Sequence, residues 1–201
     1  MGIPVMILGN SGAGKSTSLR NFTKEEIAVI NVCGKPLPFK NKLGVLNTDD
    51  YMTVANALQK TKSKTVVIDD CQYLMANEFM RKSKEQGFQK FTDIGKNFWD
   101  LIRLVNALPS DTIVYFLGHT ETDQNGKEKF KTIGKMLDEK ITVEGMFTIV
   151  LKAICEDGKY LFTTQTNGYD TVKSPMGMFD ALEIENDLKA VDTAIRNYYE
   201  M

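Results

Sequence analysis

Apolar residues along the chain come in short runs that alternate with helix-period stripes. Pro4–Leu8 is a short apolar run of strand length. Lys15–Phe22 follows as an expected helix. Ile27–Val32 reads I-A-V-I-N-V, continuous enough to be a strand buried on both faces. Cys33–Lys42 carries Gly34, Pro36 and Pro38 and is expected to be a loop. Val45–Thr48 is a short strand candidate, and Asp49 or Asp50 can cap a helix running to about Gln59. Thr65–Asp69 is the clearest β-branched strand.

Gln72–Ser83 is expected to be helical, as is Gln89–Leu108. In the latter, Phe91, Ile94, Phe98, Leu101, Ile102, Val105 and Leu108 recur at helical spacing, and Pro109 ends it. Thr112–Leu117 is a further buried strand. Phe147–Ala153 and Tyr160–Thr166 flank E-D-G-K as a hairpin, and Ile184–Tyr199 is a closing helix. Strands alternating with helices predict an α/β domain with a mostly parallel central sheet flanked by helices. Nothing between residues 1 and 201 reads as a linker, so one domain is expected.

Composition narrows the picture. The chain has 201 residues, 42% hydrophobic and 25% charged, with a net charge of −1. That balance is globular, and it disfavours a protein that coats nucleic acid with its whole surface. No run approaches the ~20 apolar residues of a membrane span, so no membrane partner is expected. Cys33, Cys71 and Cys155 lie far apart and the only histidine is His119, which argues against a structural zinc site and suits a reducing cytoplasm.

Candidate chemistry concentrates after the first strand. Gly9-Asn10-Ser11-Gly12-Ala13-Gly14-Lys15-Ser16 fits G-x-x-x-x-G-K-[ST] between a strand and a helix. Glycines let backbone amides wrap a phosphate. Lys15 can reach the β- and γ-phosphates, Ser16 can ligate Mg²⁺, and Thr17 adjoins as a further nucleotide contact. ATP and Mg²⁺ are therefore the expected cofactors. The strand Thr65–Asp69 ends in carboxylates, and Asp69 can support the metal. Asp70 is either the base for an attacking water or the cap of the next helix, with Asp49 and Asp50 as rivals. His119, at the end of the strand Thr112–Leu117, is either a γ-phosphate sensor or a structural hydrogen-bonding residue.

With these motifs in view, the chain resembles the RecA-like branch of P-loop NTPases. More narrowly, V-I-N-V-C-G-K-P-L-P-F, I-D-D-C-Q-Y-L-M, G-H-T-E-T and K-T-I-G-K-M-L resemble small single-domain ATP-binding proteins of bacteriophages, some active in recombination and single-strand annealing. The resemblance implies a homo-oligomer with ATP at subunit interfaces, and Lys173 as a contact to the neighbour's γ-phosphate. Against that, Ser174 and Pro175 replace the usual K-x-R pattern. The relatives' acid after the second core strand is missing from Val32-Cys33-Gly34-Lys35, which moves the base role toward Asp70.

The resemblance also implies a single-stranded-DNA loop at Glu121–Lys135. There Lys127, Lys129, Lys131 and Lys135 would follow phosphates and Phe130 would stack on a base; a solvated loop is the other reading. The leading expectation is a slow or DNA-stimulated ATPase of phage DNA recombination or replication. A helicase-loader-like switch and a small-molecule or nucleotide kinase are the alternatives. A full AAA+ machine is not expected, since little chain follows Tyr160–Thr166 to build a helical lid.

Overall fold

A computed structural model describes residues 1–40 and 42–201. Asn41, within the expected loop Cys33–Lys42, lies outside the described residues. The chain forms β1 (Ile3–Leu8), β2 (Ile27–Asn31), β3 (Val45–Asn47), α1 (Tyr51–Lys60), β4 (Thr65–Asp69), α2 (Gln72–Arg81) and α3 (Gln89–Asn106). Then come β5 (Ile113–Gly118), β6 (Thr120–Thr122), β7 (Glu128–Phe130), β8 (Ile149–Glu156), β9 (Lys159–Thr163), β10 (Glu183–Glu185) and α4 (Leu188–Tyr199).

Eight strands make one sheet in the order β10-β9-β8-β1-β5-β4-β2-β3. From β8 to β3 every neighbour is parallel, whereas β9 and β10 add antiparallel edges. This is the expected α/β architecture with its late hairpin and closing helix. The central strands are apolar throughout because both faces are covered. Met6, Leu8, Val66, Ile68, Val114 and Phe116 face α1, α2 and α3. Val5, Ile7, Val67, Tyr115 and Leu117 face the opposite layer, where Leu188, Val191 and Ile195 of α4 pack.

A buried polar knot also docks α4. Asp192 accepts from Thr65 Oγ1 and Tyr115 OH, each at 3.0 Å, and from Arg196 Nε at 2.6 Å.

Three expectations are revised. The segment after the glycine loop is a short 3₁₀ turn, Ser16–Asn21, rather than a helix from Lys15 to Phe22. Within it Ser18 Oγ donates to Lys15 O at 2.6 Å, the local competition by which serine disfavours α-helix. The closing helix starts at Leu188 rather than Ile184. Residues Glu183–Glu185 pair with β9, and Asp187 caps α4 by accepting from Lys189 N at 2.9 Å.

The segment Glu121–Lys135 is not simply a loop. It contains the hairpin β6–β7, and Phe130 is buried at 1% exposure, stacked on Phe98 with centroids 5.5 Å apart. Phe130 therefore has no face to offer a base. Lys129 is also committed, paired to Asp138. Lys127, Lys131 and Lys135 are exposed.

Candidate nucleotide site

Strand order builds the site. β5 lies between β1 and β4, so His119 emerges between the glycine loop and the carboxylates ending β4. Asn31 at the end of β2 is in register with Asp69. Carboxyl ends of parallel strands therefore converge on one edge, where ligands of open α/β sheets bind. A cavity of about 380 Å³ opens there. The glycine-loop wall holds Ser11, Gly12, Gly14, Lys15, Ser16 and Thr17; Asn31, Lys35, Asp69, Asp70, His119 and Tyr160 also line the cavity. Gly9, Asn10 and Ala13 complete the loop behind that wall.

Gly14 has φ +95°, and a Cβ there would stand 2.7 Å from Tyr160 Cδ1 and 3.2 Å from Asn186 Nδ2. Conformation and space both exclude a side chain. Lys15 is 5% exposed, and its ammonium donates to Gly9 O at 2.8 Å and Asn10 O at 3.0 Å. Burial lowers its pKa, while the charges of Asp70 and Asp69 act in the opposite direction. A dehydrated ammonium hydrogen-bonded to neutral carbonyls can exchange them for phosphate oxygens.

Ser16 Oγ donates to Asp69 Oδ1 at 2.9 Å. Burial, reinforced by the charge of Asp70, pushes the Asp69 carboxyl up to about 6. A nearly buried carboxylate beside a hydroxyl is an all-oxygen donor set for a hard cation. Among the described residues no group of three or more His, Cys, Asp or Glu could hold a metal. The pair suits Mg²⁺, which keeps waters and takes its remaining oxygens from phosphates.

Asp70 adopts φ +58°, and its amide donates to Asp69 Oδ1 at 3.1 Å. Its carboxylate does not cap α2, whose N-cap residue is Cys71 and which has no side-chain cap. It faces His119 Nε2 at 3.3 Å and Lys35 Nζ at 3.2 Å instead. These two hold its pKa down to about 2, His119 contributing most, against the effect of burial. The rival carboxylates are occupied elsewhere. Asp49 pairs with Arg81 at 2.6 Å, and Asp50 caps α1 by accepting from Thr53 N at 2.8 Å.

The His119 amide donates to Gln72 Oε1 at 3.2 Å, and Thr120 Oγ1 donates to Asn10 Oδ1 at 2.8 Å. The end of β5 is thereby tied to both α2 and the glycine loop. Lys173 does not join this cluster. Its backbone bridges Val150 in β8, and its side chain is half-buried outside the cavity lining.

Residues 1–175 match the family described as AAA domain. The chain belongs to the AAA domain family. A search of curated proteins finds no match. Membership suggests a nucleotide hydrolase, and this AAA domain brings a lysine, a hydroxyl and two carboxylates together in one cavity. Its α4 packs beneath the sheet and is not part of the cavity lining. No helix among the described residues is long and apolar enough to cross a membrane.

Sequence reasoning assigned no role to Lys35, Asn31, Tyr160 or Asn186. Asn31 offered one signal, as a polar residue ending an otherwise apolar strand.

Proposed function

We propose that this AAA domain is a Mg²⁺-dependent ATPase. The observation that carries the reading is the Ser16–Asp69 contact at 2.9 Å, with Lys15 and Asp70 in the same cavity. Lys15 binds the β- and γ-phosphates, and Ser16 and Asp69 would hold Mg²⁺. The metal supplies neutralisation of phosphate charge. Asp70 orients the attacking water and takes its proton, and His119, beside Asp70, reports the γ-phosphate. Gly9 to Thr17 form the nucleotide contacts.

The finer reading is a phage recombination or replication ATPase, assembled with ATP between subunits and stimulated by single-stranded DNA. Its support is the sequence resemblance together with exposed Lys127, Lys131 and Lys135. In this reading the DNA is followed by lysines along its phosphates, without base stacking by Phe130. Lys173 remains the candidate contact to a neighbouring subunit.

Phosphate release measured with and without single-stranded DNA, over a salt series, tests both levels. Stimulation that fades with salt supports the DNA role. Hydrolysis indifferent to DNA removes that role and leaves the ATPase, pointing to a partner-handling switch. Transfer of phosphate to a nucleoside or nucleotide rather than to water would establish a kinase.

A further inference from the structure

The four arginines of the chain are all committed away from the phosphates. Arg20 bonds Asn186 O, Arg81 pairs with Asp49, Arg103 lies over Trp99 and Arg196 grips Asp192. Transfer of a γ-phosphoryl group is strongly accelerated by cationic charge on its equatorial oxygens beyond the loop lysine and the metal. Lys35 lies in the cavity and is built into place. It follows β2 on a turn in which Gly34 has φ +64°. Asn31, 3% exposed, ties down Gly34 and Lys35 in that turn. Its Oδ1 accepts from Gly34 N at 2.9 Å and its Nδ2 donates to Lys35 O at 2.6 Å. Asn31 is in register with Asp69, so the turn projects one strand over from the metal carboxylate. The Lys35 ammonium then meets Asp70 Oδ2 at 3.2 Å.

We propose that Lys35 is a catalytic residue, the cation that contacts the γ-phosphate from within the same chain, positioned by Asn31. The inference rests on the ATPase reading. The Lys35 ammonium is paired with Asp70 Oδ2. An arriving γ-phosphate is the stronger anion, and the flexible stem, whose side chain is 63% exposed, lets the ammonium move to it. Asp70 is then released to face the water. In the step itself the water oxygen bonds to Pγ, and the bond from Pγ to the β–γ bridging oxygen breaks, leaving its electron pair on ADP. The water proton passes to Asp70 and on to solvent. Lys35 neutralises charge on the γ-oxygens throughout.

The test compares Lys35→Met, Lys35→Arg and, as a loop-charge control, Lys40→Met. Two readouts are taken: steady-state hydrolysis, and calorimetric affinity for ADP against ADP with aluminium fluoride. Lys35→Met is expected to lower kcat by about 100-fold with KM changed by less than about threefold. Its affinity for ADP stays the same, and the extra affinity for the aluminium fluoride complex is lost. Lys35→Arg recovers part of both, and Lys40→Met behaves as wild type. Asn31→Ala lowers kcat less, and that loss vanishes in the Lys35→Met background.

Lys35→Met retaining kcat and the aluminium fluoride preference within about threefold would overturn the proposal. If the wild type hydrolyses nothing, the ATPase reading fails separately. The binding arm then decides: a preference for ATP over ADP lost in Lys35→Met keeps Lys35 as a γ-phosphate ligand, and no change removes it.

Discussion

Phe130→Ala separates a core role from a nucleic-acid role at one residue. Phe130 ends β7, is 1% exposed and stacks on Phe98 at 5.5 Å with 16° between the rings. Its ring also presses on Gly118, where a Cβ would lie 2.3 Å from Phe130 Cε2. Neighbours this close leave little room for collapse, so truncation leaves a cavity. The expected cost is about 3–5 kcal/mol, including roughly 1 kcal/mol for the aromatic pair. Against a typical stability of about 5–15 kcal/mol this is large but survivable. With a urea m-value near 2 kcal/mol/M, the unfolding midpoint should fall by about 2 M. Phe130→Leu, closer in volume, should cost only about 1 kcal/mol and keeps the comparison measurable if the alanine variant is too weak. A base-stacking phenylalanine would behave in the opposite way. Stability would stay within about 0.5 kcal/mol of wild type, and single-strand affinity would drop by about 1–3 kcal/mol. That result would refute the burial account of the β6–β7 hairpin.

Asp69→Asn keeps the acceptor for Ser16 but removes a charge whose folded pKa is raised to about 6 by burial. A raised carboxyl burdens the fold above its folded pKa and costs nothing below the unfolded value near 4, so the variant should gain on the order of 1–3 kcal/mol at pH 8. The gain should shrink to nothing as pH falls from about 6 toward 4, read as Tm across a pH series, while Mg²⁺-dependent ATP affinity falls. Gly14→Ala meets both a φ of +95° and Tyr160 Cδ1 at 2.7 Å. ATP affinity should fall at least tenfold in a binding titration, and Tyr160→Ala should restore only part of it. Asp192→Ala removes the shared acceptor of Arg196 Nε, Tyr115 OH and Thr65 Oγ1 and should cost about 3 kcal/mol in urea unfolding, with α4 loosened first by hydrogen exchange.

Much of this was legible in the chain because it rests on local pattern. The glycine loop, the β-branched run Thr65–Asp69 and the apolar stripe of α3 each lie within one short window. The β6–β7 hairpin carries no strand signal in the sequence because T-E-T and E-K-F are three residues each and supply one apolar side chain between them. Phe130 looked exposed among lysines, although its register places it against Phe98. Ile184 reads equally well as a helix or strand position, and only pairing with Phe162 decides between them. The Lys35–Asp70–His119 cluster joins three segments distant in sequence. Asn31, Gly34 and Lys35 are adjacent, but the direction of their turn depends on β2 lying beside β4. Local pattern carries the proposed phosphate grip, whereas the groups proposed to surround the γ-phosphate follow from topology.

In the proposed function, one cavity built by Lys15, Ser16, Asp69 and Asp70 hydrolyses ATP with Mg²⁺. Single-turnover phosphate release from purified wild type and Lys15→Ala, each with Mg²⁺ and with excess chelator, tests it most directly. Release is expected only in the wild type with Mg²⁺, while the stabilities of the two proteins in urea agree within about 1 kcal/mol. Equal release by Lys15→Ala, or release untouched by chelator, would contradict it.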